Sequence, residues 1–196
     1  MSLDNLYNYY DRNAQNFIDT TQNVSMNELY QPFLSYLPTQ ASILDLGSGS
    51  GRDSLNFKNM GYHVEAIDSS ITMVEETRKH SQVPTRFLSF YDLHDNQKYD
   101  GIWACASLLH CERTLLPKVI QNIIHALKNT GVCYMSFKYG SSDREKDGRY
   151  FVDMNEQLTF ELLRTFDNIM LLQQWITIDK RPDRNELWLN IIFRKI

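Results

Sequence analysis

The chain has 196 residues, 42% of them hydrophobic and 22% charged, which excludes a disordered tract, a collagen-like repeat and a disulfide-stapled miniprotein. Its 24 acidic side chains outnumber 20 basic ones for a formal charge of -4, a balance unlike that of proteins that hold nucleic acid through phosphates. No apolar run nears the ~20 residues that span a bilayer, the opening MSLDNLYNYYDRN lacks a secretory layout, and the three cysteines form no CxxC pair, so a reduced cytoplasmic setting without membrane or metal is expected.

In chain order, the first segment carries Tyr7, Tyr9, Tyr10 and Phe17 and reads as a helix lying across the core. Ser25 with Glu28 forms a capping pair ahead of Met26, Leu29, Phe33 and Leu37. Strand-like and helix-like patterns then alternate, the mark of a parallel sheet with covering helices. Strands are expected at Ser42 to Leu46, His63 to Asp68, Thr85 to Phe90, Tyr99 to Ala104 and Val132 to Tyr139. Helices are expected from Arg52 to Met60, from a cap at Ser69 or Ser70 to about His80, and from Pro117 to Lys128, with Gly131 as exit. SSDREKDGR is too polar for a core and reads as a loop or lid. Asp153 with Glu156 caps a further helix, and strands near Ile169 to Asp179 and Glu186 to Arg194 close the chain through KRPDRN.

The most informative stretch is ILDLGSGSGRDS, Ile43 to Ser54. Gly47, Gly49 and Gly51, with Ser48 between the first two, stand between a strand and a helix, where small residues let a ligand approach the backbone. Loops at the carboxyl edge of a parallel sheet form a crevice over the strand ends. There Asp45 can face an ammonium group directly or through water, Asp68 can accept from ribose hydroxyls, and Asp92 can receive an adenine amino group. A glycine-rich loop alone also suits a purely structural turn. A nicotinamide enzyme is the nearest competitor, but its loop cradles a pyrophosphate as GxGxxG, and Asp45 would repel phosphate. No GxxxxGK[ST] sequence is present for a P-loop.

These residues carry a resemblance: Ser42 to Tyr139 resembles the core of class I S-adenosylmethionine-dependent methyltransferases, in which DLGSGSG is the cofactor loop. The resemblance implies an α/β, Rossmann-like, doubly wound sheet of seven strands, mostly parallel with the last antiparallel, and an N-terminal helical cap. It implies S-adenosyl-L-methionine as cofactor and S-adenosyl-L-homocysteine as product. By the same resemblance Ser69, Ser70 and Met73 lie near ribose and adenine, Asp92 and Leu93 near the adenine edge, and Ala106 and Ser107 beside the methionine part. YYDRNA and the compact length are similar to small-molecule and tellurite-resistance-type members, in which an N-terminal tyrosine closes over the methionine part; Tyr10 is the candidate, or else Tyr9.

The acceptor is expected to be a small molecule. ACASLLHC stands where base-amino methyltransferases carry [DNS]PP[YFW], and no ribose-methylating lysine, aspartate, lysine, glutamate set is evident, so nucleic acid is disfavoured. RNA or protein methylation and a non-catalytic binding module remain alternatives. His110, just past the fourth strand, is read as a general base or else as a residue packing the next helix. Arg144 and Arg149, and Arg181 and Arg184, could clamp an oxyanion or else be solvated, and the two pairs are not assigned to one pocket. Tyr150 and Phe151 would form an aromatic lid if their loop folds inward. Trp175 and Trp188 are assigned to packing, and the cysteines beside His110 to the core. One domain is expected, with residues 1–40 as the cap, 42–139 as the cofactor core and 140–196 as the acceptor side. The sequence leaves the oligomeric state open.

Overall fold

The structure is a computed structural model that describes residues 9–146, 148–181 and 184–196. Tyr7 and the central two residues of KRPDRN lie outside the described residues. After a helical turn at 9–12 come α1 (Ala14–Thr21) and α2 (Asn27–Leu34). The repeating core follows as β1 (Ser42–Leu46), α3 (Arg52–Asn59), β2 (His63–Asp68), α4 (Ile71–Ser81), β3 (Thr85–Phe87), β4 (Tyr99–Ala104), α5 (Leu116–Ala126) and β5 (Leu127–Lys138). A hairpin, β6 (Asp143–Lys146) and β7 (Arg149–Val152), precedes α6 (Glu156–Leu163), β8 (Ile169–Ile178) and β9 (Leu187–Lys195).

The main sheet has seven strands in the order β3-β2-β1-β4-β5-β9-β8. Pairing is parallel from β3 to β5, and β9 runs antiparallel to both neighbours. This is the expected doubly wound sheet with its last strand reversed. Because side chains alternate across a strand, neighbouring residues feed opposite faces. Leu44, Ile102, Cys133 and Ile191 join the layer under α5, whose Val119, Ile120, Ile123 and Ile124 recur at helical spacing. Ile43, Trp103, Tyr134 and Ile192 enter an aromatic layer with Tyr30 and Phe33 of α2 and Phe57 of α3. There Trp103 stacks on Tyr134 with ring centroids 3.8 Å apart.

The differences from expectation lie in caps, edges and the polar insert. Ser70 caps α4 by accepting from the Met73 amide. The other two proposed capping pairs are absent: α2 has Met26 at its cap, without a side-chain bond, and α6 is capped by Asn155, which accepts from Leu158. Strand β3 stops at Phe87, and a 3-10 turn over Phe90–Asp92 takes the remaining residues. Strand β5 begins at Leu127 rather than Val132, since an irregularity in the β4 pairing absorbs the extra residues around Lys128 and Gly131. The supposed loop SSDREKDGR forms most of the β6–β7 hairpin, whose backbone pairing tolerates outward polar side chains. Among the described residues no helix is long and apolar enough to cross a membrane, and no group of three His, Cys, Asp or Glu is placed to hold a metal.

Candidate functional site

Strand β1 ends in a turn that only small residues can fill. Gly47, Gly49 and Gly51 have φ of +83°, +53° and +75°. A Cβ on Gly47 would stand 2.5 Å from Ser107 Cβ, and one on Gly49 would stand 3.0 Å from Phe17. The amides of Gly47 and Ser48 donate to the Ile67 carbonyl at the end of β2, at 2.9 and 3.1 Å. Thr77 of α4 bonds the Ser48 hydroxyl and the Gly49 carbonyl, at 2.9 and 3.0 Å. Gly51 instead serves packing: a side chain there would meet the Thr77 backbone at 2.9 Å.

Over this turn lies a recess of about 140 Å³. It is lined by the predicted Tyr10, Gly47, Ser48, Gly49, Asp68, Ser69, Met73, Ala106, Ser107 and His110. Asp68 accepts from the amides of Gly49 and Ser70, both at 2.9 Å. Its burial nevertheless raises its pKa, so this carboxylate sits where further hydrogen bonds are worth most. The Ser107 hydroxyl is buried and, among the described residues, has no hydrogen-bond partner. Ala106 stands in the left-handed region at φ 53°, a strained posture for a residue with a Cβ.

Besides Gly51, four predicted cofactor residues are set differently. Asp45 is buried behind the loop and does not line the recess; it accepts from Ser54 at 2.6 Å, and burial beside Asp53 pushes its pKa up. Ser70 is occupied as a cap and by a bond to Asp11. Asp92 is turned to solvent by the 3-10 turn while Leu93 packs in the core, and Leu88 and Phe90 line the recess in their stead. Sequence reasoning also missed Arg52 and Asp53 as lining. Burial opposes the charge on Asp53, but Arg52, the Tyr30 hydroxyl at 2.6 Å and Trp103 Nε1 at 2.8 Å outweigh it and lower its pKa. The signal was their place directly after the glycines, where a helix start faces the crevice.

A second cavity of about 480 Å³ adjoins the first. Tyr10, Thr21, Arg52, Cys105, Ala106 and His110 line both and form their shared wall. On that wall Tyr10 Oη lies 2.8 Å from His110 Nε2, and His110 Nδ1 lies 2.8 Å from the Tyr150 carbonyl. A carbonyl only accepts, so Nδ1 carries the proton and Nε2 accepts from the tyrosine. Burial, with Arg149 and Lys138 adding, pushes the His110 pKa down to about 4. The imidazole is therefore neutral at pH 7, with its basic nitrogen engaged. Cys105, raised to about 12 by burial, is held as a thiol. The histidine is thus at the predicted place, while its lone pair is turned to Tyr10 rather than left open.

The second cavity gathers Arg149, Phe151, Arg181 and Arg184. Both β8 and β5 run antiparallel to β9, so their exits share one sheet edge, which brings the two arginine groups together. Arg144 is outside, paired with Asp153, and Tyr150 contributes its carbonyl while its hydroxyl bonds Asp143 at 2.7 Å. Trp188, assigned to packing, lines this cavity; Trp175 packs near Tyr134.

Residues 43–131 match the family model described as a methyltransferase domain. An uncharacterized methyltransferase of Staphylococcus carnosus is 22% identical, over 82% of this chain and 81% of its own. A probable S-adenosyl-L-methionine-dependent methyltransferase TehB of Haemophilus influenzae is 27% identical over 64% of this chain, which spans only 51% of that relative. The crystal structure of Burkholderia thailandensis 1,6-didemethyltoxoflavin-N1-methyltransferase, with its namesake ligand and S-adenosylhomocysteine, superposes with a TM-score of 0.81 at 19% identity, covering 98% of this chain and 88% of that one. Residues 43–131 are thus similar to a methyltransferase domain, and the chain shares the fold of the solved methyltransferase, with seven strands and β9 reversed.

Proposed function

We propose that the chain binds S-adenosyl-L-methionine in the recess over the glycine turn and transfers its methyl group to a small molecule held in the adjoining cavity. The observation that carries this reading is the pair of cavities meeting at one wall, Tyr10, Ala106 and His110, above a turn that excludes side chains. The residues fit the cofactor: a glycine cradle, a buried carboxylate at Asp68 for ribose hydroxyls, the unpartnered Ser107 hydroxyl, and the apolar Met73, Leu88 and Phe90 for a flat base. When bound, the cofactor supplies a methyl group already activated on sulfur.

What remains for the protein is to position and to exclude water. Tyr10 reaches over the recess and is fastened by His110, while Asp11 bonds Ser70 and Phe17 covers Gly49. The N-terminal segment thus acts as a closure, with 1–40 as the cap, 42–139 as the cofactor side and 140–196 as the acceptor side. In this reading His110 orients Tyr10 and is a positioning residue; as a base it would first have to release the tyrosine. The acid-rich chain and a walled cavity favour a small acceptor over RNA or protein. Three free cysteines are in keeping with a reducing, cytoplasmic setting.

The test is a metabolite screen with methyl-labelled donor and purified chain. We expect one labelled small-molecule product, formed more slowly by Asp68→Ala at sub-saturating donor; label appearing only in RNA or protein would overturn the reading.

A further inference from the structure

The second cavity has a charge that the chain as a whole does not. The protein carries a net -4, yet Lys138, Lys146, Arg149, Lys180, Arg181 and Arg184 all line this one space. Among the described residues the lining carboxylates are Asp179 and Glu186, so cations exceed anions there even after Arg52 is set aside as the partner of Asp53. Glu186 pairs with Lys138, Asp179 with Arg181, and Lys180 reaches Glu28 outside the cavity, so the excess is carried by Lys146 and Arg184 even with Arg149 left out of the count. Self-repulsion makes such a cluster costly unless a ligand of opposite sign offsets it.

The apolar part of the wall is aromatic. Phe151, Tyr134 and Trp188 line it, and Lys138 Nζ and the Arg149 guanidinium lie 5.2 and 5.1 Å from the Phe151 ring centre. The Phe151 ring is in turn 4.8 Å from that of His110 on the shared wall. Positive charge and a flat apolar surface therefore meet next to the place where the two cavities join.

On the functional reading above, we infer that the acceptor is a small organic acid, bound as its anion with an apolar or aromatic body against Phe151 and Trp188. A carboxylate oxygen that takes the methyl group as the donor's carbon–sulfur bond breaks has no proton to give up, which suits a wall where His110 is already bonded to Tyr10. Guanidinium and ammonium groups in a partly desolvated cavity select carboxylate over amide or amine far more sharply than they would in water.

The test is binding, with 2-naphthoate, 2-naphthamide and 2-naphthylmethylamine titrated into the full chain, alone and saturated with S-adenosylhomocysteine. We expect the carboxylate to bind at least tenfold more tightly than either isostere. Lys146→Met and Arg184→Met should each reduce that preference severalfold, and Lys146→Arg should restore it. Equal affinity across the three probes, absence of binding by all three, or preference for the amine overturns the inference. Affinity for S-adenosylhomocysteine, measured in the same protein, separates this from the functional reading. If it persists while the anion preference is absent, only the acceptor class is wrong; if it is absent while the preference persists, the cofactor assignment fails and the anion site stands.

Discussion

The two chambers share a wall but are built on opposite electrostatic plans. Among the described residues, the recess over the glycine turn holds one carboxylate without a cationic partner, Asp68; Asp53 lines it with its Arg52 partner, and Asp45 lies buried behind with its pKa pushed up. The larger cavity is cationic and aromatic. On the proposed function, a sulfonium nucleoside goes to the recess with Asp68 and an organic anion to the cationic cavity. The difference teaches that ligand placement is divided by charge sign before any particular hydrogen bond is made.

The largest effect is expected at the boundary. His110 titrates near 6.5 when unfolded and about 4 when folded, so its contribution is fully present above 6.5 and lost as pH falls through 4. Taking the chain from pH 7 to 4 should thus remove about 3 kcal/mol of stability through this residue. Denaturant titrations at both pH values should show that slope reduced in His110→Gln; an unchanged slope would mean that the imidazole is not held neutral at the wall.

Next comes Asp68→Ala, which removes the carboxylate we propose as acceptor for ribose hydroxyls. A lost hydrogen bond to a buried carboxylate costs about 1.5–3 kcal/mol, so affinity for S-adenosylhomocysteine should fall roughly 10- to 100-fold. Affinity for 2-naphthoate should stay within about twofold by calorimetry, since the cationic cavity is untouched; a parallel loss of both would erase the distinction between the chambers. Smallest is Tyr10→Phe, which keeps the ring and removes the bond to His110. About 1 kcal/mol, or roughly fivefold, should be lost from cofactor affinity. An unchanged value would make the N-terminal closure a packing feature only.

The same contrast explains what could be read from the residues alone. The recess was legible because its parts are local: a DLGSGSG turn, an acid ending the next strand, and strand ends that a parallel sheet must bring to one edge. What could not be read there is side-chain direction, which sequence order does not set. A single 3-10 turn sends Asp92 outward and Leu93 inward, and Ser54 claims Asp45 beneath the loop. The cationic cavity was illegible as a unit because it is assembled from β5, the hairpin and the β8–β9 connection, far apart in the chain. Only the reversal of β9 shows that Arg149 and Arg181 share an edge. Lys138 looked like an ordinary strand-end lysine, and nothing in FKYG marks it as facing a cavity.

The most direct measurement is calorimetric titration of the purified, folded chain with S-adenosylhomocysteine. The account predicts saturable binding at one site per chain, weakened in Asp68→Ala. A folded wild-type chain that gives no binding heat at several temperatures, and no shift of its melting temperature with the same nucleoside, would contradict it.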